Sequence, residues 1–432
     1  MQVVIEAVGS AGDVHPFIGV GAALSARGHA VTLVANEVFR PAVERASLSF
    51  LASSDLEGYR RVVEDPDIWH PVRGAQIVIA WTMELLFPRT LDLVLDRVRA
   101  RPDDTVLVGS TLAFASRCAA EITGAPFVGA TLAPSLFRSV HRAPRFLGMW
   151  APDASPQWWK RFWFWLGDRI VDPSICPSLN AARARHGLAP VRRVFKDWIH
   201  RGDVVLALFP EWFAPRQPDW PDVRFAGFPL FDEGTQRPVD PELDAWLADG
   251  SAPIVFTHGS SNLHARRFFE VSSSAARALA RRALLVTVEP RCVEGFTGPD
   301  VRHSSYVPFS RVVPRSAAFV THGGIGSVAQ GLAAGVPQVA VPMGFDQVDN
   351  GSRLEDLGAG GCVPLSKWTL KRAVAVLDRV LSDPSVASSA RAAAARIDSA
   401  ASRDAAVAAV ELAARAHPPM EARPLTQPGE TP

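Results

Sequence analysis

The residues best suited to chemistry in this chain stand at glycine-rich turns. Asp13 follows Gly9-Ser-Ala-Gly12, Ser260 and Ser261 follow His258-Gly259, His322 opens His322-Gly-Gly-Ile-Gly-Ser327, and Asp346 and Gln347 follow Gly344-Phe345. The segment from Phe319 to Gln338 reads as a buried strand, a turn and a helix opening near Ile325. A helix start aims unbonded N–H groups and the positive end of its dipole at whatever occupies the turn. Gly324 lets backbone approach that occupant, Ser327 adds a hydroxyl, and His322 adds a side-chain donor. The helix closes at Gly335, a good left-handed stop. A short strand from Gln338 to Pro342 then delivers Asp346 and Gln347. An anion cradle followed by a polar pair suits a phosphate joined to a hydroxyl-rich group, as in a nucleotide sugar.

Each residue also has a plainer reading. Asp13 lies between the first strand, Val3–Val8, and a helix expected over Pro16–Arg27, and Asp is a favoured helix cap. At the carboxyl end of a strand it is also placed as a general base for an attacking hydroxyl. His15 is a second candidate base. Ser260 and Ser261 can donate to phosphate oxygens or simply populate a turn. Asp346 and Gln347 can hold sugar hydroxyls or cap a helix. The turn at Gly9 lacks the G-x-G-x-x-G spacing of a dinucleotide site. Asp65-Pro-Asp67 resembles a metal-binding acid pair but falls in a loop remote from the cradle, so no metal and no cofactor beyond the donor substrate is expected.

These turns need strands to carry them. Strands are expected at Val3–Val8, Ala30–Ala35, Val106–Val108, Phe127–Ala130 and Val204–Leu208, with the pattern restarting at Ile254–Thr257, Leu284–Val288, Phe319–Thr321 and Val339–Val341. Strand and helix alternate, so the fold class is α/β, with two Rossmann-like domains facing across a cleft. The expected boundaries are 1–228 for an acceptor-binding half, 229–250 for a linker, 251–417 for a donor-binding half and 418–432 for a disordered tail.

Length and composition agree with two globular halves: 432 residues, 48% hydrophobic. The formal charge of +1 supplies no basic field, which argues against nucleic acid as a partner. Four scattered cysteines imply neither a zinc site nor a disulfide framework, and a reducing cytoplasm is the expected compartment. No apolar run reaches the roughly 18 residues of a membrane span, and no signal peptide is read at the start. The run Trp158-Trp-Lys-Arg-Phe-Trp-Phe-Trp-Leu166 is unusually aromatic. At helical spacing it makes an apolar face, read as core packing, as an acceptor pocket including Trp159 and Trp163, or as an interfacial helix in peripheral contact with the inner membrane.

Taken in order, Tyr306-Val-Pro-Phe309, His322-Gly-Gly-Ile-Gly-Ser327, Gly335-Val-Pro337 and Phe345-Asp-Gln347 resemble the donor signature of GT-B glycosyltransferases of the UDP-glycosyltransferase superfamily. Gly9-Ser-Ala-Gly-Asp-Val-His-Pro-Phe17 is similar to the branch that glycosylates antibiotics and sterols. Phe209-Pro-Glu-Trp-Phe-Ala-Pro215, Asp219-Trp-Pro221 and Gly227-Phe-Pro-Leu-Phe-Asp232 look like the rhamnosyltransferases of rhamnolipid biosynthesis. The resemblance implies metal-independent, inverting transfer of L-rhamnose from dTDP-L-rhamnose to a 3-(3-hydroxyalkanoyloxy)alkanoate. A sterol, polyketide or other apolar aglycone is the alternative acceptor, and a non-catalytic nucleotide-binding auxiliary protein is the alternative of another class. The partners implied are a nucleotide-sugar donor, a lipid acceptor and an acceptor-synthesising protein.

The resemblance also assigns roles. Asp13 becomes the base. His322, Gly324, Ser260, Ser261 and Ser327 hold the diphosphate, Tyr306, Val307 and Gln330 the nucleoside, Asp346 and Gln347 the sugar, and His15, Phe17, Trp159 and Trp163 the acceptor. Gln330 stands where relatives carry a ribose-binding glutamate, which favours a deoxyribose donor. No acid stands near Gly109-Ser110 to orient a catalytic histidine, which favours Asp13 over His15.

Overall fold

The computed structural model describes residues 1–70, 73–149, 151–234, 237–260 and 262–416. Two wholly parallel sheets organise them. The first holds β1 (Gln2–Glu6), β2 (Ala30–Ala35), β3 (Ser49–Ala52), β4 (Thr105–Gly109), β5 (Phe127–Thr131), β6 (Val204–Ala207) and β7 (Val223–Phe225), in the order β3-β2-β1-β4-β5-β6-β7. The second holds β8 (Ile254–Thr257), β9 (Ala283–Val286), β10 (Val301–Ser304), β11 (Ala318–Thr321), β12 (Gln338–Ala340) and β13 (Gly360–Cys362), in the order β10-β9-β8-β11-β12-β13. The central strands are apolar on both faces, as strands covered by helices on both sides must be.

Strand order reverses between β1 and β4 in the first sheet and between β8 and β11 in the second. Val3 pairs with Val31 on one side and Val106 on the other, and Phe319 pairs with Val255 and Gln338. A reversal opens a crevice beyond the carboxyl ends of the two diverging strands, where ligands of such sheets bind. The turns after β1, β8 and β11 therefore all open at switch points, and these are the turns that carry Asp13, Ser260 and His322.

Helix α1 (Ala11–Ala26) begins earlier than expected: Pro16 lies inside it and Asp13 sits in its first turn. The other helices used below are α2 (Gln157–Arg185), α3 (Ile325–Ala333), α4 (Gln347–Asp356) and α5 (Ser399–Ala416). Within the stretch read as a linker, Pro241–Ala248 forms a helix that buries Leu243 and Leu247 against Val255 and Leu284 of the second half. Helix α5, read with the donor half, crosses back instead. Its Ala406, Val407, Val410 and Ala413 share a core with Val3, Ile5 and Phe17, and Arg403 donates to the Leu230 carbonyl at 2.8 Å. The tail from 417 on, Ser261 and a few further positions lie outside the described residues.

Candidate active site

After β1 the chain turns at Gly9, whose φ of +137° suits glycine, and a Cβ there would fall 2.3 Å from Asp13 Oδ2. The bare glycine lets that carboxylate fold back over the turn. Asp13 Oδ2 accepts the Ser10 N–H at 2.8 Å and the Ser10 hydroxyl at 3.0 Å, so it ties down the helix start. Burial raises its pKa against the pull of these two bonds. His15 is held edge-on between Phe39 and Phe231, at 6.5 and 6.0 Å, and burial pushes its pKa down while Glu233 and Asp232 pull it up.

The turn after β11 is built differently. Gly324 is the N-cap of α3, and no side chain caps the helix, which leaves its leading N–H groups facing the crevice. A Cβ on Gly324 would lie 2.4 Å from His322 Nε2, so the ring rests directly on the glycine. Gly259, after β8, supports the same ring from the other side, 3.1 Å from it by the same measure. His322 Nδ1 is buried with no partner among the described residues. Burial lowers the His322 pKa to about 4, so the imidazole is neutral and offers one N–H. Ser260 is exposed at the tip of its turn and Ser327 is half-buried on α3. Ser261 lies outside the described residues.

Two residues that sequence reasoning left without a role hold this turn in place. His258 stacks on Phe268 with centroids 4.2 Å apart, with its Nε2 3.3 Å from the Val341 carbonyl and its Nδ1 2.6 Å from Asn262 Nδ2. Its pKa falls to about 3 through burial, which keeps it neutral. Asn350 Nδ2 spans the Gly323 carbonyl at 3.0 Å and Asp346 Oδ2 at 2.7 Å, tying the His322 turn to the acid on the next loop. Its spacing, four residues after Asp346 across a helix start, was the available signal.

Asp346 follows Phe345, whose φ of +52° is strained for a non-glycine residue. The Phe345 ring meets Trp69 of the first half edge-on at 5.7 Å. Burial, then the charge of Asp13, lift the Asp346 pKa to about 7. The charge of Asp13 is thus felt at Asp346 across the crevice. Gln347 Oε1 is taken by the Met343 and Gly344 N–H groups at 2.8 and 3.2 Å, which leaves only its amide N–H₂ for a ligand. The starts of α1 and α3 nearly touch: a Cβ on Gly326 would lie 3.3 Å from Gly12 Cα.

The remaining candidates divide. Gln330 is half-buried on α3, and Tyr306 has the Arg237 guanidinium 4.0 Å above one face. The Val307 side chain is core, so only its backbone is available. Phe17 is corrected outright: at 1% exposure it packs with Val14 and Ile18 in the first core and cannot touch an acceptor. The core-packing reading of the aromatic helix is also corrected, because the line of Trp158, Phe162 and Trp165 faces outward. Lys160 is buried, with Nζ donating to the His141 and Asp153 carbonyls at 3.2 and 2.9 Å, and Asp168 is buried against Arg138. Trp158, Phe162 and Trp165 point outward, and Trp159 and Trp163 are half-buried between the two faces. Asp67 pairs with Arg73 at 2.9 Å, and no cluster of three metal-ligating side chains occurs among the described residues.

Known proteins resemble this chain over most of its length. Residues 3–142 match the glycosyltransferase family 28 N-terminal domain, and residues 286–412 match the erythromycin biosynthesis protein CIII-like C-terminal domain. The O-mycaminosyltylonolide 6-deoxyallosyltransferase of Streptomyces fradiae is 31% identical over 410 residues, covering 90% of this chain and 92% of that one. The chain is a glycosyltransferase of the UDP-glycosyltransferase superfamily. This glycosyltransferase is also 26% identical to the 3-alpha-mycarosylerythronolide B desosaminyl transferase of Saccharopolyspora erythraea, over 89% of this chain and 91% of that one. Among solved structures, the spinosyn forosaminyltransferase SpnP superposes with a TM-score of 0.70 at 19% identity, covering 96% and 99% of the two chains. The spinosyn rhamnosyltransferase SpnG, complexed with thymidine diphosphate, gives 0.62 at 18% identity over 92% and 96%. At those identities the superpositions establish the GT-B fold of the glycosyltransferase.

Proposed function

We propose that the enzyme transfers a deoxysugar, with inversion, from a dTDP-linked donor to a hydroxyl of an apolar polyketide-type aglycone. The observation that carries this reading is the pairing of an uncapped helix start and an unpartnered imidazole with a carboxylate on the opposite wall. Asp13 Oδ2 is held by Ser10, which leaves Oδ1 to take the acceptor proton. The acceptor oxygen bonds to the anomeric carbon from the Asp13 side. The bond from that carbon to the phosphate oxygen breaks, and its electron pair leaves with dTDP. The charge developing on the diphosphate falls on the N–H groups of α3 and on His322, a fixed dipole arrangement that needs no rearrangement during the step. Asp67 is engaged by Arg73 and lies in a loop of the first half, so we assign this charge to the helix start and not to a cation at Asp65-Pro-Asp67. Asp346 and the Gln347 amide would hold the sugar.

Two considerations support the donor. A neutral Gln330 holds a ribose diol less well than a carboxylate, which favours deoxyribose. The neighbours SpnG and VinC are described as complexes with thymidine diphosphate. For the acceptor, the relatives named above act on tylonolide and erythronolide derivatives by name. Within the segments that look like the rhamnolipid enzymes, Phe209, Phe213, Ala214 and Phe228 are buried together as core. Those four positions build the fold and leave the acceptor open.

The test is mass spectrometry of products from dTDP-L-rhamnose and UDP-glucose, each offered a macrolactone, a sterol and a 3-(3-hydroxyalkanoyloxy)alkanoate. A deoxyhexose adduct on the macrolactone, formed only from the dTDP donor, is expected. Turnover only with the alkanoate would replace the acceptor reading with rhamnolipid synthesis. No product from any pairing would favour the auxiliary-protein reading.

A further inference from the structure

The outward face of α2 is the largest feature the transfer reaction leaves unused. Trp158, Phe162 and Trp165 are 66%, 41% and 52% exposed. Trp158, Phe162, Trp165 and Arg169 recur at three- and four-residue intervals, so they share one line of the helix, with Arg161 beside it. Phe162 and Trp165 stack at 6.0 Å, and the Arg169 guanidinium lies 5.5 Å over the Trp165 ring. Asp168, the only acid from Gln157 to Ile170, is turned inward onto Arg138. The exposed face of this stretch is therefore aromatic and cationic, with no acid on it.

We infer that this face docks on an anionic bilayer surface, with the helix lying in the headgroup plane. Tryptophan and phenylalanine bury their rings at the headgroup boundary while interleaved arginines keep their charge among anionic headgroups. A second copy of the chain is a poor occupant. A two-fold contact sets a patch against itself and would crowd Arg161 and Arg169 of both copies into one interface without an acid between them. No helix among the described residues is long and apolar enough to cross a membrane, so the contact is peripheral. The helix Arg73–Trp81 packs against α2, and Trp69, ahead of it in the chain, meets Phe345.

Flotation of the full chain with vesicles tests this without donor or acceptor, so its outcome is separate from that of the transfer reading. Binding to vesicles of phosphatidylglycerol and phosphatidylcholine is expected at low salt, with weak binding to phosphatidylcholine alone. W158S/W165S and R161Q/R169Q should each weaken binding by roughly tenfold. Both pairs are exposed, and unchanged circular dichroism and dTDP affinity would establish that the fold is intact. No flotation, flotation unaltered by W158S/W165S, or equal binding to both vesicle types would overturn the proposal. So would a dimer in sedimentation velocity that W158S/W165S dissolves, since the face would then pair two copies.

Discussion

The turn after β1 and the turn after β11 use the same strand–turn–helix plan to opposite ends. In the first, Ser10 and Asp13 bond to each other and close the helix start on itself. In the second, Gly324 stands where a capping side chain would be, and the helix start stays open. A closed start presents a carboxylate and an open one presents backbone N–H groups. One wall of the crevice is thus fitted to take a proton and the other to take a negative charge, and Gly12 and Gly326 bring the two within contact. The difference lies in which residue precedes the helix, since both strands end at a switch point of their sheets.

The comparison breaks most visibly at Asp13, which in this account both caps and accepts a proton. Asn keeps an oxygen for Ser10 but cannot act as a base. Asp13→Asn should therefore lower kcat by about a thousandfold, within the range for loss of a general base, and leave the melting temperature unchanged. Asp13→Ala should add a stability loss of about 1 kcal/mol, as for a lost cap. Near-normal turnover in a folded Asp13→Asn would reduce the residue to its capping role.

The two glycines beside these side chains give the next test. Gly324 has an ordinary φ of −61°, so Gly324→Ala strains no backbone and only drives the His322 ring away from a Cβ that would lie 2.4 Å from it. Donor affinity should fall by about a hundredfold, with folding retained. Gly9→Ala meets both a φ of +137° and the Asp13 carboxylate, and should lower stability as well as rate. Calorimetry with dTDP and thermal melts of both variants would separate the two cases. Equal dTDP affinity in wild type and Gly324→Ala would remove His322 from the diphosphate site.

Much of this plan was legible in the residues, and the failures are systematic. The nine strands expected from apolar runs are all found, with ends no more than two residues away. The four unexpected ones, β3, β7, β10 and β13, are the outer strands of the two sheets. An edge strand packs less of itself and tolerates polar residues, as in Val301-Arg-His-Ser304, so its apolar run is too short to stand out. The turns were readable because glycine spacing reports backbone geometry directly. Side-chain partners were not. Nothing local indicates that Lys160 turns inward to the carbonyls of His141 and Asp153, or that helix α5 returns to the first core. The core-packing reading of α2 failed for the same reason: periodicity finds a stripe but does not say which side meets the protein.

A smaller effect is expected at Gln330. Restoring a carboxylate with Gln330→Glu adds a charged acceptor for two ribose hydroxyls, while a deoxyribose offers it only one. The ratio of UDP to dTDP affinity should rise by roughly tenfold, the low end for one hydrogen bond to a charged group. Competition binding of the two nucleotides measures it. An unchanged ratio would mean that position 330 does not meet the sugar of the nucleoside.

A stability effect of similar size separates the two walls by pH. Asp346 has its pKa lifted to about 7 in the folded chain, from an unfolded value of 3.8, by burial and by the charge of Asp13. Between about pH 4 and pH 7 the folded state therefore holds a proton that the unfolded state has released, and this contribution to stability is lost as pH rises through that window. Asn at this position is neutral throughout. Asp346→Asn should match wild type near pH 4 and exceed it near pH 8 by on the order of 1–2 kcal/mol, discounted because the side chain is partly solvated. His322 contributes the opposite slope: its pKa of about 4 lies below the ordinary 6.5, so acid favours the unfolded state between those values. That slope is common to both chains and cancels in the difference. Urea melts of the pair at several pH values would read the residual directly. A difference that does not change with pH would show that Asp346 carries its charge in the folded enzyme, facing Asp13 with water between them and not across a dry crevice.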